Sequence, residues 1–254
     1  MNVLEKICKL KMEEVEILKK DSLPKKKVKT RNFLKSLVNN NEINYNVIAE
    51  IKKKSPSKGL ICHNFNLEKI ATEYEKAGAK CISILTEKNF FGGEIDFLTK
   101  VKNIVSIPIL RKDFIIDKWQ IYESYYNGAD CILLILAILD DDKIKEFYKI
   151  SHSLGMDVIC EVHDNDELKR ALNLDVNCIG INNRNLKTLE INTDTFLKLQ
   201  KKIPKGKIKI CESGIHSNTQ LARFVNQGAD AFLIGESLMS AKNIFEKTRN
   251  LIKK

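Results

Sequence analysis

The chain reads as an α/β protein in which eight parallel strands close into a (β/α)8 barrel, preceded by an N-terminal helical extension. Three observations carry this expectation. Short apolar runs begin near Val47, Ile82, Ile107, Ile132, Val158, Ile179, Ile208 and Phe232, roughly 20–35 residues apart, the length of one βα unit. Three of them follow a repeated junction: Gly78-Ala79-Lys80-Cys81, Gly128-Ala129-Asp130-Cys131 and Gly228-Ala229-Asp230-Ala231. There a glycine ends a helix in the left-handed conformation and the chain turns into the next strand. Most runs also close on a charged or polar residue, as strands do when a barrel gathers its chemistry on one face.

The elements follow in order. Val3, Leu4, Ile7, Leu10, Val15 and Leu18 space an amphipathic first helix, which Pro24 and the run Lys25-Lys26-Lys27 end. A second helix is expected from about Arg31 to Val38. Between strands, Leu67, Ile70, Ala71 and Tyr74 form one helical stripe, and Asp142 to Ser153 is similar. Apolar strands alternating with helices mean a parallel sheet covered on both faces. Eight units favour closure over an open, doubly wound sheet. Such a sheet would more often carry a glycine-rich dinucleotide turn after its first strand, where this chain has Lys52-Lys53-Lys54-Ser55-Pro56-Ser57-Lys58-Gly59. Residues 1–254 are read as one barrel domain, with residues 1–45 as an extension lying over it.

Composition bounds the function. A chain of 254 residues, 43% hydrophobic, has the size and core of one barrel. The longest apolar run, Cys131 to Leu139, is far short of the ~20 residues that span a bilayer. Charges interrupt the first ten residues too often for a signal-peptide core. Seven cysteines without a CxxC pair give no zinc or thioredoxin-like motif and suit a reducing compartment. Five of them fall at or inside strands, as small buried hydrophobes do. The expectation is a cytoplasmic monomer with no membrane partner. The net charge of +10 is spread along the chain, and aromatics are only 7% and apolar-patterned. A nucleic-acid partner, which would show lysines and aromatics interleaved on one face, is therefore not expected.

Candidate chemistry lies at the strand ends. Glu50 and Lys52 are two apart on one extended strand and point the same way, either as a barrel-end salt bridge or as working groups at the mouth. Lys112 closes the third strand, although either neighbour, Arg111 or Asp113, could face inward instead. Glu161 closes the fifth; His163 shares its parity and reads as a hydrogen-bonded cap. Asn182 and Arg184 close the sixth. Glu212-Ser213-Gly214 and Gly235-Glu236-Ser237 follow the seventh and eighth, where barrel enzymes bind phosphate through backbone N–H groups and the start of a short helix.

These residues also carry a resemblance. Glu50-Ile51-Lys52-Lys53-Lys54-Ser55-Pro56-Ser57-Lys58-Gly59 resembles the first-strand signature of the indole-3-glycerol phosphate synthase family. Leu85-Thr86-Glu87 with Phe90-Phe91-Gly92-Gly93, Pro108-Ile109-Leu110-Arg111-Lys112-Asp113-Phe114-Ile115, and Glu161-Val162-His163-Asp164 are similar to that family as well. So are Gly180-Ile181-Asn182-Asn183-Arg184-Asn185-Leu186, Glu212-Ser213-Gly214-Ile215 and Gly235-Glu236-Ser237-Leu238-Met239. The resemblance covers effectively the whole chain, with no departure at the expected catalytic positions. Another phosphate-binding barrel, such as phosphoribosylanthranilate isomerase or tryptophan synthase α, is not expected to combine the Lys-Ser-Pro-Ser and Arg-Lys-Asp-Phe runs.

The resemblance implies a TIM-barrel lyase of tryptophan biosynthesis that uses no cofactor and no metal. It would convert 1-(o-carboxyphenylamino)-1-deoxyribulose 5-phosphate to indole-3-glycerol phosphate, releasing carbon dioxide and water. By resemblance Lys112 is the acid at the ketone, with Lys52 a close contender. Glu161 matches the acid for loss of the hydroxyl. Glu50 and Lys52 are candidates for the base, and Asn182 matches a hydroxyl-binding amide. Ser55 looks placed for the substrate carboxylate. Phe91, Phe114, Leu133 and Leu186 match an apolar groove for the ring. Arg184, Glu212 and Ser213 complete the expected substrate-binding set. Lys52, Gly214, Gly235 and Glu236 are expected at the phosphate.

Overall fold

Eight parallel strands close on themselves in chain order in the computed structural model, which describes residues 2–24, 27–38 and 43–254. They are β1 (Val47–Ile51), β2 (Cys81–Leu85), β3 (Ile109–Lys112), β4 (Cys131–Ile135), β5 (Asp157–Val162), β6 (Cys178–Asn182), β7 (Ile208–Glu212) and β8 (Ala231–Ile234). Closure is made by β1 against β8, with Val47, Ile48 and Ala49 opposite Phe232, Leu233 and Ile234. The third strand starts at Ile109, two residues past the start read from the sequence. Proline lacks an N–H, so Pro108 offers only its carbonyl, to Ile82 N. Lys25 and Lys26 of the lysine run lie outside the described residues.

Successive strand residues face opposite sides, so each strand feeds two cores. Val47, Ala49, Ile82, Ile84, Ile132 and Leu134 face the helical layer. Ile48, Leu110, Ile159 and Ile210, from the four odd-numbered strands, are fully buried within the inner cluster. Barrel interiors pack in such layers of four from alternate strands. Cys81, Cys131 and Cys178 open β2, β4 and β6 inside the same cluster.

The extension packs against both ends of the barrel. Helix α1 (Val3–Leu18) starts on a capping box between Asn2 and Glu5. Its buried stripe is Leu4, Ile7, Lys11 and Val15; Leu10 and Leu18 are only half-buried. A lysine within that stripe was not anticipated. Lys11 is buried because its ammonium lies 3.2 Å from Asp113 Oδ1, just past β3. Helix α2 (Phe33–Val38) begins two residues later than expected. It buries Phe33 and Leu37 completely beside the three strand-opening cysteines, plugging the opposite end. Arg31 N donates to Asp130 Oδ1 at 2.6 Å and Leu34 N to Asp157 Oδ2 at 2.9 Å, fixing this segment to the strand starts. Gly78, Gly128 and Gly228 all adopt left-handed φ of 93–99°, as their repeated junction requires. Among the described residues no helix is long and apolar enough to cross a membrane.

Candidate active site

Two residues beyond Ile48, Leu110, Ile159 and Ile210 stand Glu50, Lys112, Glu161 and Glu212. The uppermost inward layer of the odd strands is therefore three carboxyl groups around one lysine, where an ordinary barrel core continues apolar. All four line a cleft of about 870 Å³, counting its part open to solvent. Lys52, Phe91, Phe114, Leu133, Asn182, Arg184, Leu186, Ser213, Gly214, Gly235 and Glu236 line it too. Ser55 does not. It lies in an adjoining compartment with Ser57 and Leu189, which shares Lys52, Phe91, Phe114, Arg184 and Leu186 with the main cleft and is roofed by Val3, Leu4 and Ile7 of α1.

The strand ends explain which side chain enters. Lys112 faces inward. Arg111 turns to the helical layer, where it meets Glu123 at 2.8 Å and Asp113 at 3.1 Å and donates to Thr86 Oγ1. Lys112 Nζ lies 2.9 Å from Glu161 Oε2 and 3.7 Å from Glu212 Oε2. Lys52 Nζ meets Glu50 Oε1 at 2.6 Å, so the pair is a salt bridge, and it lies in the mouth. His163 is not the cap its position suggests, because Asp164 caps the helix by accepting from Asp166 N and Glu167 N; His163 pairs with Glu167 at 3.0 Å, and its Nε2 is also 3.1 Å from Glu161 Oε1.

Burial opposes every charge in this layer, and the neighbours decide the outcome. Burial disfavours the Lys112 ammonium, but Glu161, Glu212 and Glu50 outweigh it and raise its pKa well above the usual lysine value. Burial likewise works against ionised Glu161, yet Lys112 and His163 hold its carboxyl well below the usual range. Glu212 goes the other way. Burial, reinforced by the neighbouring Glu161 charge, pushes it up to about 8 despite Lys112. The surroundings therefore push the two carboxyls in opposite directions, Glu161 toward its ionised form beside the Lys112 cation and Glu212 toward its protonated form.

Two glycines make room for these carboxyls. A Cβ on Gly180 would lie 2.2 Å from Glu212 Oε1, and one on Gly235 would lie 2.4 Å from Glu50 Oε1. Gly180 enters the sequence reading only within the run Gly180-Ile181-Asn182-Asn183-Arg184-Asn185-Leu186, although a glycine inside a strand signals a close approach. Other residues that matter locally also escaped the sequence reading. Glu87, fully buried, accepts from the N–H groups of Asn89, Phe90 and Phe91 and so holds the turn that carries Phe91. Phe91 and Phe114 stand with ring centroids 6.3 Å apart.

Around the mouth, Arg184 joins three loops. It donates to Leu189 O at 2.9 Å and to Ser57 Oγ at 3.3 Å, and it meets Glu236 Oε2 at 3.3 Å. Asn182 Oδ1 accepts from Arg184 N at 3.0 Å. After β7, Ser213 and Gly214 take left-handed φ of 66° and 78°. After β8, Gly235 leads into the short helix Glu236–Met239. Ser237 Oγ donates to Ile215 O at 2.9 Å and ties these two loops together.

The profile of the family described as indole-3-glycerol phosphate synthase matches residues 4–251. The chain belongs to the indole-3-glycerol phosphate synthase family. Indole-3-glycerol phosphate synthase of Legionella pneumophila is 46% identical over 99% of this chain and 98% of its own length. That of Acetivibrio thermocellus is 48% identical over 87% of this chain and 84% of its own. Among solved structures, a 3-hexulose-6-phosphate synthase superposes with a TM-score of 0.65 at 14% identity, over 81% of this chain and 97% of that one. At that identity the likeness carries the fold alone, and the fold is the one built above strand by strand.

Proposed function

We propose that the four-residue polar layer performs the reaction of the family, closing 1-(o-carboxyphenylamino)-1-deoxyribulose 5-phosphate to indole-3-glycerol phosphate with loss of carbon dioxide and water. The observation that carries the assignment of roles is the Lys112–Glu161–Glu212 arrangement. The lysine stands 2.9 Å from one buried carboxyl and 3.7 Å from another, and the surroundings favour ionisation of the first and protonation of the second.

Lys112 is the acid at the ketone oxygen. The ring carbon bearing the carboxylate attacks the ketone, and the ammonium neutralises the alkoxide as it forms. Breaking the bond to the carboxylate then returns its electron pair to the ring and restores aromaticity. Once Lys112 has given its proton, Glu161 loses the cation that kept it ionised. The proton shared by the Glu161–Glu212 pair then moves toward Glu161. Glu161 delivers it to the new hydroxyl, which leaves as water, and Glu50, paired with Lys52, takes the adjacent ring proton. Asn182 holds a substrate hydroxyl.

Phe91, Phe114, Leu133 and Leu186 hold the aromatic ring, and Ser55, with Arg184 in the adjoining compartment, holds its carboxylate. The phosphate is read against the backbone of Ser213, Gly214, Gly235 and Glu236, with Lys52 as its cation. The Glu236 side chain faces Arg184 and Lys58 instead. We further read residues 1–254 as one domain and as a cytoplasmic monomer. The seven cysteines are free thiols, suited to a reducing compartment.

The test is direct. Purified protein is incubated with the carboxyphenylamino-deoxyribulose phosphate, without added metal or nucleotide, and indole fluorescence is followed. Absence of signal from folded protein would remove the proposal.

A further inference from the structure

Asn183 lies next to Asn182 but on the opposite side of the strand, does not line the cleft, and is 2% exposed. Its buried amide is fully engaged. Nδ2 donates to Ser213 O at 3.1 Å and to Cys211 Sγ at 3.4 Å, and Oδ1 accepts from Phe196 N at 3.0 Å. Its backbone N donates to Glu212 O at 2.9 Å, and its carbonyl accepts from Asn192 N at 2.8 Å. One residue thus grips the turn after β7 from two directions.

The first grip is on Ser213. A non-glycine residue in the left-handed region persists only where its surroundings over-determine it, and Ser213 has φ of 66°. The second is on the segment behind Gly214. A Cβ on Gly214 would come 2.8 Å from Ile191 Cγ2 and 3.1 Å from Thr193 Cγ2, so residues on both sides of Asn192 pack against this glycine. Holding Asn192 holds that wall.

We infer that Asn183 is a positioning residue for phosphate recognition: it locks the strained Ser213–Gly214 turn in the shape that presents its N–H groups to the substrate phosphate. This rests on the phosphate site read above. Asn183 touches no reacting group, so its removal acts on binding and leaves the chemistry of the polar layer in place.

The experiment measures substrate KM, kcat and the inhibition constant of inorganic phosphate for wild type, N183A and the near-isosteric N183D, with melting curves to establish folding at the assay temperature. Competitive inhibition of the wild type by phosphate tests the underlying site; its absence would overturn that reading. Given a competitive wild type, both variants are expected to raise KM and the phosphate inhibition constant about tenfold, comparable to the strain such a turn stores. Their kcat should stay within about threefold and the pH–rate limbs should not move. A glycine at 213 needs no such lock, so in an S213G background the effect of N183A should shrink to about twofold or less. Unchanged phosphate inhibition in folded N183A and N183D, or an undiminished effect with glycine at 213, would overturn the inference.

Discussion

Lys112 Nζ stands 2.9 Å from Glu161 Oε2 and 3.7 Å from Glu212 Oε2, and this asymmetry pushes two buried carboxyls in opposite directions. Glu161 takes the cation, which favours its ionised form; Glu212 faces that charge from a buried site, which favours its protonated form. Paired titratable groups whose surroundings push them apart in this way are how one site supplies acid and base together.

The sorting sets a pH dependence. Burial and the Glu161 charge hold Glu212 protonated up to about 8, whereas an unfolded glutamate titrates near ~4.3. Between those values the folded chain binds the proton and the unfolded chain releases it. This contribution to stability is therefore present below about pH 4.3 and lost as pH rises through about 8. Relative to E212Q, which resembles the protonated form, the wild-type urea midpoint should fall between pH 5 and pH 8.5. The wild-type rate should show an alkaline limb near pH 8. A constant difference in midpoint across that range would refute the assignment.

Lys112→Ala should lower kcat by about 10²–10⁴-fold, the usual loss for a positioned acid. Substrate binding should stay measurable, because the proposed phosphate loops and apolar walls are untouched. A near-normal kcat in the variant would transfer the role to Lys52.

The strand order and the placement of most of the site were legible in the chain because barrel strands announce themselves by apolar runs that end on polar residues. Glu50, Lys112, Glu161, Glu212 and Asn182 each stand at such an end. What escaped was the support behind them. Lys11 sits in an apolar stripe because Asp113, about a hundred positions away, meets it there. Asn183 faces away from the cleft, and its tie to Ser213 crosses between strands. Long-range pairings of this kind leave no periodicity to read. Gly180 did leave a signal, a glycine inside a strand, but only the fold shows that Glu212 is what approaches it.

Gly180→Ala should act on that approach. The added methyl would stand 2.2 Å from Glu212 Oε1 and 3.0 Å from Ile159 Cγ2, so the carboxyl must swing out of its place. Overpacking typically costs about 1–3 kcal/mol. We expect a lowered melting temperature together with loss of the alkaline limb assigned to Glu212. A variant that keeps both the limb and the rate would show that the strand shifts instead of the side chain.

Glu161→Gln should stall the reaction after ring closure. Glutamine keeps the shape and accepts the Lys112 hydrogen bond, but it has no acid proton to give. Lys112 would still protonate the closing alkoxide, and decarboxylation needs no proton from Glu161. Loss of the hydroxyl does need one, because hydroxide is a poor leaving group. Single-turnover measurements should therefore show carbon dioxide release with indole formation lagging behind it. The alternative is that Glu161 only balances the charge of Lys112, as their 2.9 Å contact alone would allow. In that case ring closure itself would suffer, and carbon dioxide and indole would appear together, both slowed. Simultaneous slowing would leave Glu212 as the carboxyl to be tested for the dehydration step.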